Sequence, residues 1–289
     1  MRIDGSSAGY RSSIDPESEP SGTCSTERKE GSAPVDAPKK ETAARSPETD
    51  SRPVAVLHEV GNGIVGAVFG FFHGLAKTAS DVADGSFRAL VRPFETVASI
   101  AIFEFAKVTS AVLTAVGLEP KGRRLNDEER ATLQRMFGGS LDLSAIRIKE
   151  NAGAMSFGGM ARTIGDTIYF PGEADLKTLR HEAVHAWQFS HGGTLYLAGS
   201  LEAQAAAGIK TGDRNDAYRF EEDIQAGHPW RDLNPEQQAK LMEIVADQGY
   251  FATDDAPKHT RVISAVDGRD YTAAVEQGLA QMRAGKGAP

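Results

Sequence analysis

Leu179-Arg180-His181-Glu182-Ala183-Val184-His185-Ala186-Trp187-Gln188 is the stretch from which the rest of the chain is read. On a helix, residues four apart stand one turn apart on the same face, so His181 and His185 present their imidazoles to a common point. Two imidazoles placed in this way supply half of a tetrahedral zinc site. Glu182 is offset by one residue, close enough to serve a water at the metal without being a ligand. The chemistry implied is hydrolysis. Zn2+ lowers the pKa of water and polarises a scissile carbonyl, while Glu182, as general base, takes the proton and passes it to the leaving amine. Ala183, Val184, Ala186 and Trp187 occupy the other faces, which suits a core helix. With 7 histidines in the chain, a chance match to this pattern has odds of about one in a hundred. The competing reading is a helix whose histidines are merely solvated or hydrogen-bonded.

Upstream of this helix, from Leu125, the pattern is that of an ordinary globular domain. Residues 161–170, ARTIGDTIYF, read as two short strands around Gly165-Asp166, a pair suited to a II′ hairpin turn. A strand beside the helix would hold an extended peptide by strand addition. Ile146-Arg147-Ile148 alternates like another short strand. Asn126, followed three residues later by Glu129, reads as a capping box that opens a helix through about Phe137, ended by Gly138-Gly139. Asp175 begins the helix of the central motif.

Downstream, three positions compete for the third ligand. His191 lies six residues beyond His185, but Gln188 stands where a chain turning back toward the metal favours glycine. Glu221 and Glu222 are acidic residues of a later helical segment. Glu236 follows an N-cap, Asn234, and a first-turn proline, Pro235; its plain alternative is an acidic residue favoured by the helix dipole. Gln188 is either a hydrogen-bond partner of a ligand or a polar residue near a helix end. Tyr218 is either a phenol donor to a developing oxyanion or a core aromatic.

The N-terminal part differs in kind. Residues 1–53 are rich in Ser, Glu, Lys, Pro, Thr and Ala, without periodicity, and read as a disordered leader. Residues 54–76, VAVLHEVGNGIVGAVFGFFHGLA, are apolar, with Gly66, Gly70 and Gly74 forming a small-residue stripe that admits a second helix closely. A second apolar run, 97–118, is interrupted by Glu104 and Lys107, three apart and able to pair across one turn. Together they predict a helical hairpin joined by a polar segment, 77–92. Either the hairpin packs on the rest of the protein or it contacts a membrane. Neither run offers about 20 uninterrupted apolar residues.

Whole-chain composition narrows the classes. The 289 residues are 40% hydrophobic and 25% charged, enough for a sizeable core. The net charge of −8, without a basic block, predicts no nucleic-acid partner. Cys24 alone staples nothing. The N-terminus carries no apolar h-region, so no Sec signal peptide is expected. A cytoplasmic protein of the producing cell, exported if at all through an injection apparatus, is the corresponding expectation.

From about Leu125 to Gly249 the chain resembles a zinc-metallopeptidase (zincin) domain family found beside Rhs-type toxins and contractile injection systems. The matching pieces are Glu129 with Phe137-Gly138, Ile146-Arg147-Ile148, Thr163 to Phe170, and HEAVHAWQFSHGG from His181. They continue with Ser200-Leu201, Gln204, Ala217-Tyr218 and Leu233-Asn234-Pro235-Glu236-Gln237-Gln238-Ala239. The combination HExxHxxQ with N-x-E-Q-Q-A about fifty residues later carries the resemblance. It implies a compact, gluzincin-like α+β domain with a small antiparallel sheet, and Glu236 as third ligand beside His181 and His185. The family's later acidic residue on that helix has its nearest counterparts in Glu243 and Asp247, both out of register by a residue or more. The implied organisation is a leader (1–53), a hairpin (54–120), a zincin domain (121–253) and a helical C-terminal tail (254–289). The implied function is hydrolysis of peptide bonds in a peptide or protein substrate, in an injection-system effector or effector-processing protein. Alternatives are a non-catalytic assembly module of a toxin or injection system, and a membrane-active toxin using the hairpin.

Overall fold

The computed structural model describes residues 48–251, apart from 157, and residues 261–289; the expected leader therefore lies almost wholly outside the described residues. Its last residues belong to the fold. Thr49 bridges Arg123, and buried Asp50 pairs with Arg147 at 2.6 Å, so the folded part begins before residue 54.

Two long helices come first, α1 (Arg52–Ala83) and α2 (Arg88–Val116). They form the expected hairpin, but the segment 77–92 is mostly helical and only residues 84–87 turn the chain. The glycine stripe sets the approach of the two helices. A Cβ at Gly66 would collide with the Phe103 ring, and one at Gly74 with Thr96. The expected Glu104–Lys107 pair does not form the main contact. Lys107 turns inward instead and meets Glu59 of α1 at 2.8 Å.

Next comes α3 (Asp127–Phe137), opened by the Asn126–Glu129 capping box and closed at Gly138. Such a cap is worth about 1 kcal/mol. Glu129 does double duty, because Arg123 forks onto its carboxylate at 2.8 Å and onto Glu150 at 2.9 Å. The strands are β1 (Arg147–Lys149), β2 (Arg162–Ile164) and β3 (Thr167–Tyr169), in the order β1-β3-β2. β2 and β3 are the antiparallel hairpin, with positive φ at Gly165 and not at Asp166, as a II′ turn requires. β1 runs parallel to β3, so the sheet is mixed rather than antiparallel. The parallel pairing follows from the long excursion between Lys149 and Arg162, which no tight hairpin could make.

The helices α4 (Leu176–Gly192), α5 (Leu195–Thr211), α6 (Glu221–Gln225), α7 (Pro235–Asp247) and α8 (Thr272–Arg283) complete a mostly helical α+β fold. Leu179, Ala183 and Trp187 turn one face of α4 into the main core, where they meet Ala239, Met242 and Val245 of α7. Among the described residues of the expected helical tail (254–289), 261–271 form a turn closed by an Ile263–Asp270 bridge, and only α8 is helical. Val275, Leu279 and Met282 of α8 lie in the same core as α4 and α7.

Candidate metal centre

Helix α4 begins at Asp175, whose carboxylate accepts from the Thr178 amide at 2.9 Å, and this start fixes which residues face away from the core. His181 and His185 fall on that outer face, with rings 5.1 Å apart. The facing helix α7 is fixed in the same way, by an Asn234–Gln237 capping box with Pro235 in the first turn. Its first turn carries Glu236 to the two imidazoles. Glu236 Oε2 lies 3.4 Å from His181 Nε2 and 3.5 Å from His185 Nε2. The three donor atoms lie within 4.8 Å of one another. Four ligands at about 2.05 Å on tetrahedral corners stand about 3.3 Å apart, so the N–O separations of 3.4 and 3.5 Å suit a single small cation. The donor set, two imidazole nitrogens and a carboxylate oxygen, also fits zinc.

Surrounding bonds orient each ligand. Gln188 Nε2 donates to the Pro235 carbonyl and to Gln238 Oε1, both at 3.0 Å. Its Oε1 is thereby left facing His185 Nδ1 at 2.8 Å, which must donate. The lone pair of His185 is then on Nε2, aimed into the centre. His181 is held equivalently, its Nδ1 3.1 Å from Glu243 Oε2. Gln204 of α5 donates to Glu236 Oε1 at 3.1 Å, leaving Oε2 for the imidazoles. Ligands fixed through their outer atoms in this way are the usual support of a metal centre.

The centre draws positive charge. Burial disfavours the imidazolium of His181, but Glu236, Glu243 and Glu182 outweigh it and raise the pKa to about 10. Burial likewise opposes ionisation of Glu236, yet the two imidazoles hold it well below the usual carboxylate range. Glu182 stands beside the His-His-Glu cluster without joining it; its Oε2 accepts from the Thr163 hydroxyl at 2.7 Å.

All these groups open on one cleft of about 1020 Å³, walled by β2, α5, the Arg214–Tyr218 turn and residues Ile102 and Phe105 of α2. β2 is the edge strand next to α4, but part of its free edge is taken. The Tyr196 hydroxyl donates to the Thr163 carbonyl at 2.9 Å and accepts from the Gly165 amide at 3.1 Å. The open backbone therefore lies toward Ala161. The Tyr218 ring is 5.7 Å from that of His181, and burial keeps its phenol above the ordinary pKa.

The structure thus brings His181, Glu182, His185 and Glu236 together and separates the other third-ligand candidates from them. His191 stacks on Trp187 at 4.9 Å and its Nδ1 lies 3.0 Å from the Trp187 carbonyl. Glu221 accepts from Ser264 at 2.7 Å, and Glu222 is exposed. Glu243, which sequence reading left out of register, touches His181: it lies seven residues after Glu236, two turns along one helix face. Thr163 and Gln204 were quoted for the resemblance without a role. Nothing in their spacing relates them to α4, because the contacts are made between elements.

The fold and site define a mostly helical α+β domain carrying a His-His-Glu cluster between two helices. No family model matches the chain, and no solved structure matches it. Among curated proteins, the type VI secretion system spike protein VgrG2b of Pseudomonas aeruginosa is 28% identical over 188 residues. That match covers 58% of this chain and only 17% of the spike protein, so the chain corresponds to a small part of its length. The chain is thus distantly similar to a segment of a secretion-system protein.

Proposed function

We propose that the chain is a zinc-dependent peptidase whose metal is held by His181 Nε2, His185 Nε2 and Glu236 Oε2. The observation that carries this reading is the convergence of those three atoms from two helices, each oriented by a bond to its far side. When bound, zinc supplies Lewis-acid polarisation of a carbonyl and acidifies water. Glu182, steadied by Thr163, accepts the proton of the attacking water on its carboxylate and returns it to the leaving amine. Tyr218 keeps its proton and donates a hydrogen bond to the carbonyl oxygen as negative charge develops there. The edge of β2 toward Ala161 aligns an extended peptide beside α4. Ile102, Phe105 and Met155 exclude water from the cleft wall. The test is digestion of a peptide library by the full chain and by Glu182→Gln. Cleavage by the first alone supports the reading; equal cleavage, or none with a metal-loaded protein, contradicts it.

The similarity to a spike protein supports placement in an injection system, as a delivered effector or an effector-processing protein. It equally favours a second reading, a non-catalytic module of such an apparatus. Metal-loaded protein without peptidase activity, retained on a purified spike, would select that second reading.

A further inference from the structure

The hairpin is built inside out. Over residues 53–76 of α1, and over residues 93–118 of α2 and the turn after it, every exposed residue is apolar or glycine. Phe72 is 63% exposed and Phe94 77%. Of the polar residues of the same stretches, Glu59, Thr96, Ser99, Lys107, Ser110 and Thr114 are buried on the inner side and the others are half-buried. A helix pair in water shows the opposite polarity. Charges turned inward, small residues between helices and an unbroken apolar exterior are what hydrocarbon selects. Both helices are also long and apolar enough, by length and composition, to cross a membrane.

We infer that this outer face is a lipid-binding face that takes the hydrocarbon of a bilayer. A protein partner is disfavoured by the chemistry of the surface. Even the buried core of a protein interface is only about two-thirds apolar and carries a hydrogen bond every 100–200 Å² or so. Over residues 53–76 and 93–118 this face offers no exposed side-chain donor or acceptor.

The hairpin stays on the domain while it binds. Glu59 is shared between Lys107 of α2 and Lys149 of β1, at 2.8 Å each, and accepts from Tyr169 of β3 at 3.1 Å. Releasing the hairpin would leave Lys149 buried without its carboxylate. The helices therefore lie along the bilayer rather than through it. Ile102 and Phe105 belong both to the face and to the cleft wall, so the cleft mouth opens at the bilayer surface. Attraction comes from apolar area, and a chain of net charge −8 gains nothing from anionic lipid.

Flotation of the full chain with phosphatidylcholine vesicles tests this. Co-flotation is expected at low and at high salt, and no better with anionic vesicles. The double variant Phe72→Glu/Phe94→Glu is expected to float at least tenfold less while keeping its circular dichroism and melting. A Phe94→Trp reporter should shift its emission to the blue with vesicles and be quenched by brominated acyl chains; Trp187 and Trp230 are buried elsewhere. A chain that does not float overturns the inference, whether it is monomeric or forms a lipid-free dimer that the double variant breaks. So does flotation unchanged in the double variant, or a reporter that vesicles leave unaltered.

Discussion

Two buried polar clusters sit on either side of the β2–β3 hairpin, and they differ in how their charges are balanced. Between the hairpin helices and the sheet, Glu59 and Asp166 face Lys107 and Lys149, and Tyr169, Ser110 and Thr167 take up hydrogen bonds left over. Two carboxylates thus meet two ammonium groups, and His58 is a further partner of Asp166 at 3.3 Å. On the other side, Glu182, Glu236 and Glu243 surround two imidazoles, and Glu243 alone of the three also meets Lys177 and Lys240. This second cluster sets its three carboxylates against titratable imidazoles as well as lysines, and it opens on a cleft where the first is sealed. A balanced, sealed cluster fixes the position of elements. An open one built on imidazoles that can give up their protons is arranged to receive a cation or a reacting group.

The largest expected effect breaks the comparison at the open cluster. Glu182→Gln should lower kcat for peptide hydrolysis by about 10²–10⁴ while metal content stays unchanged, because the residue handles a proton and is not a ligand. Parallel turnover and metal measurements separate these. At the sealed cluster, Lys149→Met should leave metal content alone and destabilise the fold by about 3–5 kcal/mol, through a carboxylate that has lost half its countercharge. Thermal melting should then fall by about 10 °C.

Acid sharpens the same contrast. Burial opposes the charge of Glu59, but Lys107 and Lys149 outweigh it and lower the pKa from 4.5 to about 2. Its contribution is thus present above pH 4.5 and is lost as the pH falls toward 2. Denaturant titrations across that window should show a loss on the order of 3 kcal/mol, absent in Glu59→Gln. The next effect is in affinity. Gln188→Leu removes the acceptor that orients His185, and should weaken zinc binding about 10–100-fold in competition with a chelator.

Much of the open cluster was legible in sequence because its signals are local. HEAVH sets two imidazoles one turn apart, and Asn234-Pro235 places Glu236 in a first turn. The capping box of α3 and the Gly165-Asp166 turn were legible for the same reason. What escaped was set by contacts between elements. The parallel β1–β3 pairing depends on a crossover, and Lys107 found its partner 48 residues away rather than three. Glu243 comes to His181 because it lies two turns after Glu236 on one helix face, whatever its register against the family's motif. The polarity of the hairpin was equally hidden: periodicity shows that α1 and α2 have two faces, and only packing shows that the polar one is inside.

The central claim, that the open cluster is a metal centre, is tested most directly by metal content of the full chain purified without chelators. One zinc per chain is predicted for the unmutated protein and for Glu182→Gln, and none for a folded His185→Ala. A metal-free unmutated protein that takes up no added zinc, or zinc retained in His185→Ala at full stoichiometry, would contradict the account.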